Sequence, residues 1–399
     1  MKYNFDEIID RRGTSCVKWD EKPDEDFIPL WVADMDFRAA PAIQEAVRRR
    51  AEHGVFGYTV VGDDYYEAII NWFQRRHQWT IHREEILYTT GVVPAMSVAI
   101  KALTMPGEKV LILSPDYNCF FSSVRNNGCE VLETALRFSH NGHFEVDFAD
   151  FEAKCADEKT TVFLLCNPHN PTGRVWTKEE LERMNDICMK HGVKVVSDEI
   201  HCELIMPGHK FQPFAAVSKQ CRQNSVILNS PSKSFNIAGL QAANIICTVP
   251  EWRRRLDRAI NINEVCDLNP FGPVALIAAY NESEAWIDEL NQYLWGNYTA
   301  LCDFFIEHLP QCVVTPLEGT YLVWVDVSEI ISQEKEGECP DCTAAFCDRL
   351  FSEGHVWVNP GTMYGPQTGK GYIRINIACP RSLLMEGLRR IAEVVRDGK

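Results

Sequence analysis

The chain has 399 residues, 46% of them apolar and 24% charged, enough for two or three domains around a large buried core. A formal net charge of −16 argues against nucleic acid and anionic membrane surfaces as partners. No apolar run approaches the roughly 18 residues a spanning helix needs, and residues 1–7 lack an apolar signal core, so a cytoplasmic address is expected.

Residues 1–45 read as an extended arm together with the first part of a small domain. Pro41 opens a helix over 42–50, because a first helical turn has no use for the missing N–H. The stretch 53–58 is a glycine-broken loop ending in Tyr58, and a second helix follows over 64–76. From there strand-like runs alternate with helical ones. The strand runs are 86–90, 109–113, 130–133, 161–166 and 193–196, and the helices fall over 94–103, from about 119, and over 178–190. Two further apolar runs, 226–228 and 242–247, flank a serine-rich turn. Continuous β-rich runs between helices predict a mainly parallel sheet covered on both faces, with its ligand beyond the strand carboxyl ends.

After about residue 290 the pattern changes. A helix over 286–309 precedes a strand at 319–326, a helix at 342–353, strands at 356–358 and 372–375, and a last helix to 396. The expected division is an arm over 1–45, a large domain over 46–289 and a smaller α+β domain over 290–399, which the arm joins. The sixteen cysteines read as buried or free thiols in a chain of this length. Cys339-Pro-Asp-Cys342 has neither a second pair nor a histidine at zinc spacing, so it reads as a loop entering a helix, and no metal is expected.

The chemistry concentrates in the turns after the strands. Asn229-Ser-Pro-Ser-Lys-Ser-Phe-Asn-Ile-Ala-Gly-Leu-Gln241 sets Lys233 among Ser230, Ser232 and Ser234 between two buried-looking strands. Partial desolvation disfavours its ammonium form and leaves an amine able to attack a carbonyl. Cys166-Asn-Pro-His-Asn-Pro-Thr-Gly173 joins a strand to a helix, a pattern that alone also suits an ordinary proline-rich loop. Val193-Lys-Val-Val-Ser-Asp-Glu-Ile-His201 ends in two acids, which at such places commonly stay solvated or cap the next helix. Thr89-Thr-Gly-Val-Val-Pro94 is either a plain glycine turn or the amide-rich start of a helix, which suits a phosphate. Tyr117, after a strand, reads equally as packing, and Arg374, inside an apolar one, as half of an ion pair.

Together and in this order, these motifs resemble the fold-type I pyridoxal 5'-phosphate (PLP) enzymes, the aspartate-aminotransferase superfamily. Within it the chain looks most like the cystathionine β-lyase-type C–S lyases of the MalY/PatB branch, from Trp31-Val-Ala-Asp-Met-Asp-Phe37 to Tyr372-Ile-Arg-Ile-Asn376. The resemblance implies an α/β fold of the PLP-dependent transferase type, with a mainly parallel large domain and a smaller α+β domain. By it, Lys233 carries the cofactor as a Schiff base, and Asp198 keeps the pyridine nitrogen protonated so that the ring accepts electrons. Asn170 would donate to the phenolic oxygen and take part in substrate binding and catalysis, while Tyr117 stacks on the ring. His201 stands where many aminotransferases have a tyrosine bonding that oxygen, and Glu199 is left structural. Gly91, Val92 and Val93 would cradle the phosphate through their amides, helped by Ser230, Ser232 and a Tyr58 from the partner subunit of a homodimer with shared active sites. Gln241 stands where the superfamily usually has a phosphate-binding arginine, which removes a charge-assisted contact. Arg374 would fork onto the α-carboxylate of a small amino-acid substrate. The implied activity is β-elimination of a thiol from L-cystathionine or a similar cysteine thioether, giving pyruvate and ammonia. The same residues also serve a class I/II aminotransferase, and a non-catalytic regulator that binds another protein is a third expectation.

Overall fold

The computed structural model describes residues 2–22, 26–139, 142–333 and 340–397. Its main sheet has seven strands: β1 (Ile86–Thr89), β2 (Lys109–Ser114), β3 (Glu130–Ala135), β4 (Thr160–Cys166), β5 (Lys194–Asp198), β6 (Ser225–Asn229) and β7 (Ala243–Ile246). They lie in the order β1-β7-β6-β5-β4-β2-β3, with every neighbouring pair parallel except those of β7, which runs against both β1 and β6. This is the mainly parallel α/β sheet expected.

Its central strands are apolar on both faces because each face meets its own core. Val162, Leu164, Val196 and Leu228 pack with Ala95, Met96 and Ala99 of helix α3 (Val92–Leu103) and with Leu256 and Ile260 of α6 (Pro250–Ile262). The alternate residues Phe163, Leu165, Val195 and Ile227 share a core with Trp72 and Phe73 of α2 (Asp63–His77) and with Leu181 and Met184 of α5 (Lys178–Lys190). Thus a run that reads as uniformly apolar resolves into two interleaved sets with the strand period of two.

Further helices include α1 (Pro41–Glu52), α4 (Asn118–Asn126), α7 (Phe271–Glu282), α8 (Glu284–His308), α9 (Cys342–Ser352) and α10 (Arg381–Asp397). α6 and α7 lie between the strand and helix read at 242–247 and 286–309, where no element was expected. Pro250 in the first turn of α6 is a start signal that the sequence does carry. α7 buries Ala275, Leu276, Ala278 and Ala279 in succession and packs on α1 and α2, so it shows no polar face to mark its period.

A second sheet, β8 (Val313–Val314), β9 (Leu322–Asp326), β10 (Asn359–Pro360) and β11 (Tyr372–Asn376), is antiparallel in the order β8-β9-β11-β10. β9 starts three residues later than expected because Thr320 takes the left-handed conformation, φ +72°, which breaks extended pairing. The N-terminal arm reaches this region: Ile28–Pro29 pairs in parallel with Val356–Trp357, and Trp31 stacks on Trp357 with ring centroids 4.2 Å apart. Cys342 opens α9, whereas Cys339 lies outside the described residues. Cys155, Cys188 and Cys221 are buried thiols. No helix among the described residues is long and apolar enough to cross a membrane.

Candidate active site

The carboxyl ends of β4, β5 and β6 and the first turn of α3 converge on a cavity of about 280 Å³. Its lining includes Gly91, Val92, Val93, Tyr117, Asn170, Asp198, His201, Ser232, Lys233 and Gln241. Parallel strands bring these loops to one edge of the sheet.

Asp198 is the last residue of β5, held in register with Cys166 and Leu228 on either side. It is 3% exposed, accepts a hydrogen bond from the Ile200 N–H at 3.1 Å, and forms no ion pair among the described residues. Burial pushes its carboxyl up to about 7 against the pull of that N–H and of Lys233. Lys233 lies in the turn after β6 and donates from Nζ to the Ala33 carbonyl at 2.6 Å. Burial pushes its ammonium down to about 8, with Asp34 and Asp198 opposing and Arg374 assisting. A lysine held there is roughly one-tenth neutral amine at pH 7, far more than an exposed lysine, and the amine is the form that attacks carbonyls.

Asn170 sits in the loop leaving β4. That loop closes through the Gly173 N–H donating to the His169 carbonyl at 2.8 Å, with Gly173 at φ +75° and Leu317 packed against it. A Cβ there would lie 2.9 Å from the Leu317 side chain, so the turn needs glycine for both space and conformation. Asn170 Oδ1 accepts from Arg374 Nη1 at 3.1 Å, and Arg374 Nη2 donates to the Trp31 carbonyl at 2.8 Å. Arg374 is buried in β11, its guanidinium 4.7 Å from the centroid of the Tyr364 ring, and its Nε has no partner among the described residues. His201 is buried, and burial, with Lys233 and Arg374 adding to it, pushes its imidazole down to about 3. The ring is therefore neutral at physiological pH. It meets Tyr321 edge-on at 5.9 Å, and its Nδ1 is unpartnered among the described residues.

At the other end, Gly91 precedes the first turn of α3, whose amides have no carbonyl one turn earlier to bond. Ser232 and Gln241 line the same end, Gln241 in a left-handed conformation at φ +51°. Two expected contributors stand elsewhere. Ser230 does not line the cavity: its hydroxyl donates to the Ala242 carbonyl at 2.6 Å and accepts from the Ser232 N–H at 3.0 Å, so it closes the lysine turn. Tyr58 is 98% exposed and does not line its own chain's cavity.

The sequence reading missed the Ala33 carbonyl, Tyr321 and the charges that hold residues 31–37. This stretch carried the resemblance but no assigned chemistry. Its acids, Asp34 and Asp36, were a visible signal without visible partners. His77, Cys202 and Glu203 also gather, with ligand atoms within 4.8 Å of one another. Glu203, however, already accepts from Trp72 at 2.7 Å and His77 at 2.6 Å, with Arg76 also paired to it, so its lone pairs face donors.

The donor set fits PLP on its own chemistry. A buried carboxylate without an ion-pair partner faces the cavity and suits a ring N–H, a desolvated lysine suits the aldehyde, and a turn of unpaired amides suits the phosphate. A mainly parallel sheet with a buried lysine and aspartate at its strand ends defines a PLP-dependent enzyme of fold type I. The family model described as aminotransferase class I and II matches residues 25–391. Cystathionine beta-lyase PatB of Bacillus subtilis (strain 168) is 40% identical over 392 residues, 97% of this chain and 98% of that protein. Cystalysin from Treponema denticola, whose crystal structure contains a pyridoxal 5'-phosphate cofactor, superposes with a TM-score of 0.94 at 32% identity over all of both chains. The PLP-bound C-S lyase from Staphylococcus hominis, solved with L-cycloserine, gives 0.91 at 34% identity over 99% of each. The chain belongs to the aminotransferase class I and II family, in its branch of cystathionine β-lyases and related C–S lyases.

Proposed function

We propose that the chain is a β-C–S lyase that cleaves L-cystathionine or a related cysteine thioether to a thiol, pyruvate and ammonia. The observation that carries this reading is one cavity gathering Lys233, Asp198, Asn170 and Tyr117 in a chain 40% identical to a cystathionine β-lyase. When bound, PLP supplies a conjugated ring that takes up the electron pair left at the substrate α-carbon.

Lys233 would hold the cofactor covalently and, as a free amine, would remove the α-proton of the substrate. Asp198 would accept the ring N–H and keep that proton in place, and a cation beside it would draw its raised carboxyl back toward the charged form. Tyr117 would pack against the ring, and Asn170 and His201 would serve the phenolic oxygen, for which Nδ1 of His201, unpartnered among the described residues, is available. Gly91, Val92, Val93 and Ser232 take the phosphate, while Ser230 acts by closing the turn that aims Ser232 and Lys233. Arg374 receives the substrate carboxylate, its Nε still unbonded.

We read the protein as a homodimer with shared sites. Val55, Phe56, Tyr58 and Val60 form an exposed apolar run that a second copy would cover, and Tyr58 would then reach the partner's phosphate. The division into an arm over 1–45, a large domain over 46–289 and a small domain over 290–399 is supported by the arm's pairing with Val356–Trp357. A reducing, cytoplasmic setting suits the buried thiols.

The test is pyruvate release by the holoenzyme from L-cystathionine with no keto acid added. Matched thiol and pyruvate are expected. Turnover that requires an added keto acid would replace this reading with an aminotransferase, and bound cofactor without turnover on any thioether would replace it with a non-catalytic role.

A further inference from the structure

Residues 31–36 cross the lysine as a strap, and one oxygen of that strap is unusually engaged. The Ala33 carbonyl accepts from Lys233 Nζ at 2.6 Å and from the Tyr321 hydroxyl at 2.9 Å. The strap itself is held from several sides. Asn376 Nδ2 donates to the Val32 and Asp34 carbonyls at 2.5 and 2.7 Å, and Asn236 Nδ2 to the Met35 carbonyl at 2.9 Å. Arg11 pairs with Asp34 and with Asp36, each at 2.7 Å, and the fully buried Lys18 pairs with Asp36 at 2.7 Å. The contacts of Asn376, Asn236, Arg11 and Lys18 have no part in holding cofactor or substrate as described above, yet they fix the backbone on either side of the carbonyl that touches Lys233.

We propose that the Ala33 carbonyl, aimed by Tyr321 and by the charge-locked strap, holds Lys233 in register for proton transfer and receives the ammonium that it becomes. The proposal rests on Lys233 being the cofactor-linked base. A neutral lysine amine has two N–H groups and one lone pair; with one N–H on Ala33, the lone pair is confined toward the cavity. In the transfer, the C–H bond at the substrate α-carbon breaks, its electron pair stays with the substrate, and the proton becomes the third hydrogen on Nζ. The bond to Ala33 is then charge-assisted and about twice as strong. The strap thus stabilises the state after proton transfer more than the state before it, which is the condition for accelerating the step. Tyr321 is a positioning residue in this scheme, since it touches the acceptor and not the reacting atoms.

The charged and titratable groups around Lys233 are Asp34 on the strap, Asp198 at the end of β5 with His201 just beyond it, Arg374 on β11, Cys119 in α4 and Tyr321, which shares the Ala33 carbonyl. Of these, Asp34 belongs to the strap and has no other assigned role. Capture of PLP by cofactor-free protein, followed by stopped-flow absorbance across pH, reads the free amine directly, with a midpoint expected near 8. Asp34→Asn should move that midpoint down by about 0.5–1 pH unit, and Asp34→Glu should return it. In the holoenzyme, Tyr321→Phe should lower kcat on L-cystathionine about tenfold with KM within about twofold, because misalignment costs rate more than binding. An unmoved midpoint in Asp34→Asn, or full kcat in Tyr321→Phe, overturns the proposal. Lys233→Ala separates the two levels: covalent capture that persists there overturns the assignment of Lys233 itself, whereas its loss alongside an unmoved Asp34→Asn midpoint overturns the strap alone.

Discussion

Asp198 and Asp36 are the same side chain at the same burial, each 3% exposed, and they behave in opposite ways. Burial lifts both carboxyls. At Asp198 burial prevails, because the Ile200 N–H and Lys233 oppose it only weakly, and the acid stands at about 7. At Asp36 burial is outweighed: Lys18 at 2.7 Å, the Trp19 indole N–H at 2.9 Å and Arg11 at 2.7 Å hold the carboxyl below its ordinary value. A buried charge that the chain itself satisfies is framework. One left with a single backbone donor and facing a cavity is set for something the chain does not supply, here a ring N–H.

The contrast is tested most severely at Lys233. Lys233→Ala should purify without a covalent adduct after borohydride reduction and should not turn over; an adduct that survives would assign the linkage to another residue. Asp198→Asn should still bind cofactor and lose at least about a hundredfold in kcat, since a neutral amide cannot hold the ring nitrogen protonated. Near-normal turnover would place Asp198 with the framework and erase the distinction. Asp36→Asn should register in stability, costing about 2–4 kcal/mol in urea unfolding, because the buried Lys18 then keeps only the more distant Asp34 carboxylate, at 3.6 Å. A cost under about 1 kcal/mol would show that the cluster is not framework either.

The two acids also give opposite pH slopes in cofactor-free protein. Folding raises the carboxyl of Asp198 from 3.8 to about 7. Its contribution is therefore present below the unfolded value and is lost as pH rises toward 7, where the unfolded chain releases the proton and the folded chain keeps it. Folding depresses the carboxyl of Asp36, so its contribution is present above the ordinary carboxylate range and is lost as pH falls through the lowered value. Urea titrations at pH 5 and 8 should accordingly show Asp198→Asn flattening the decline in stability with rising pH.

How much of this was legible follows the same division. β4 and α5 announce themselves by an unbroken apolar run and by an amphipathic one ending in Lys190, and both stand within a residue of where they were read. Lys233, Asp198 and Asn170 are legible because strand-end turns concentrate polar residues next to apolar strands. Arg374 shows only as an arginine in an apolar strand; that it meets Asn170, 204 residues away, is a fact of the fold. The Ala33 carbonyl was invisible, since every residue carries a carbonyl and only tertiary structure selects one. The engagement of Ser230 depends on where the Ala242 carbonyl falls, twelve residues on, and motif order does not contain that distance. α7 was missed because its half-buried face, Phe271, Val274 and Ile277, is as apolar as its buried one, which erases the polar half of its pattern.

Tyr58 sharpens the comparison from outside, as a candidate site residue that its own chain leaves wholly unsatisfied. It stands in a loop with Val55, Phe56 and Val60 exposed around it, and it becomes useful only if that loop meets a second copy. With Gln241 in place of a cationic side chain, the phosphate depends on neutral donors, so each hydroxyl or amide should count. A hydrogen bond to a charged acceptor is worth roughly 1.5–3 kcal/mol, and Tyr58→Phe should therefore weaken PLP retention by about ten- to a hundredfold, measured by dialysis against cofactor-free buffer. Such a loss alone does not say which chain supplies the hydroxyl, and mixing does. When Tyr58→Phe and Lys233→Ala protomers exchange subunits, each mixed dimer contains one site with an intact Lys233 and a tyrosine from its neighbour, and a second site lacking both. After dialysis that strips cofactor from Tyr58→Phe dimers, turnover should return toward a quarter of wild type at equal mixing, because half of the dimers are mixed and each has one site that retains cofactor. Exchange without recovered activity would mean that Tyr58 serves its own chain or no site at all, and the exposed loop would then need a different partner.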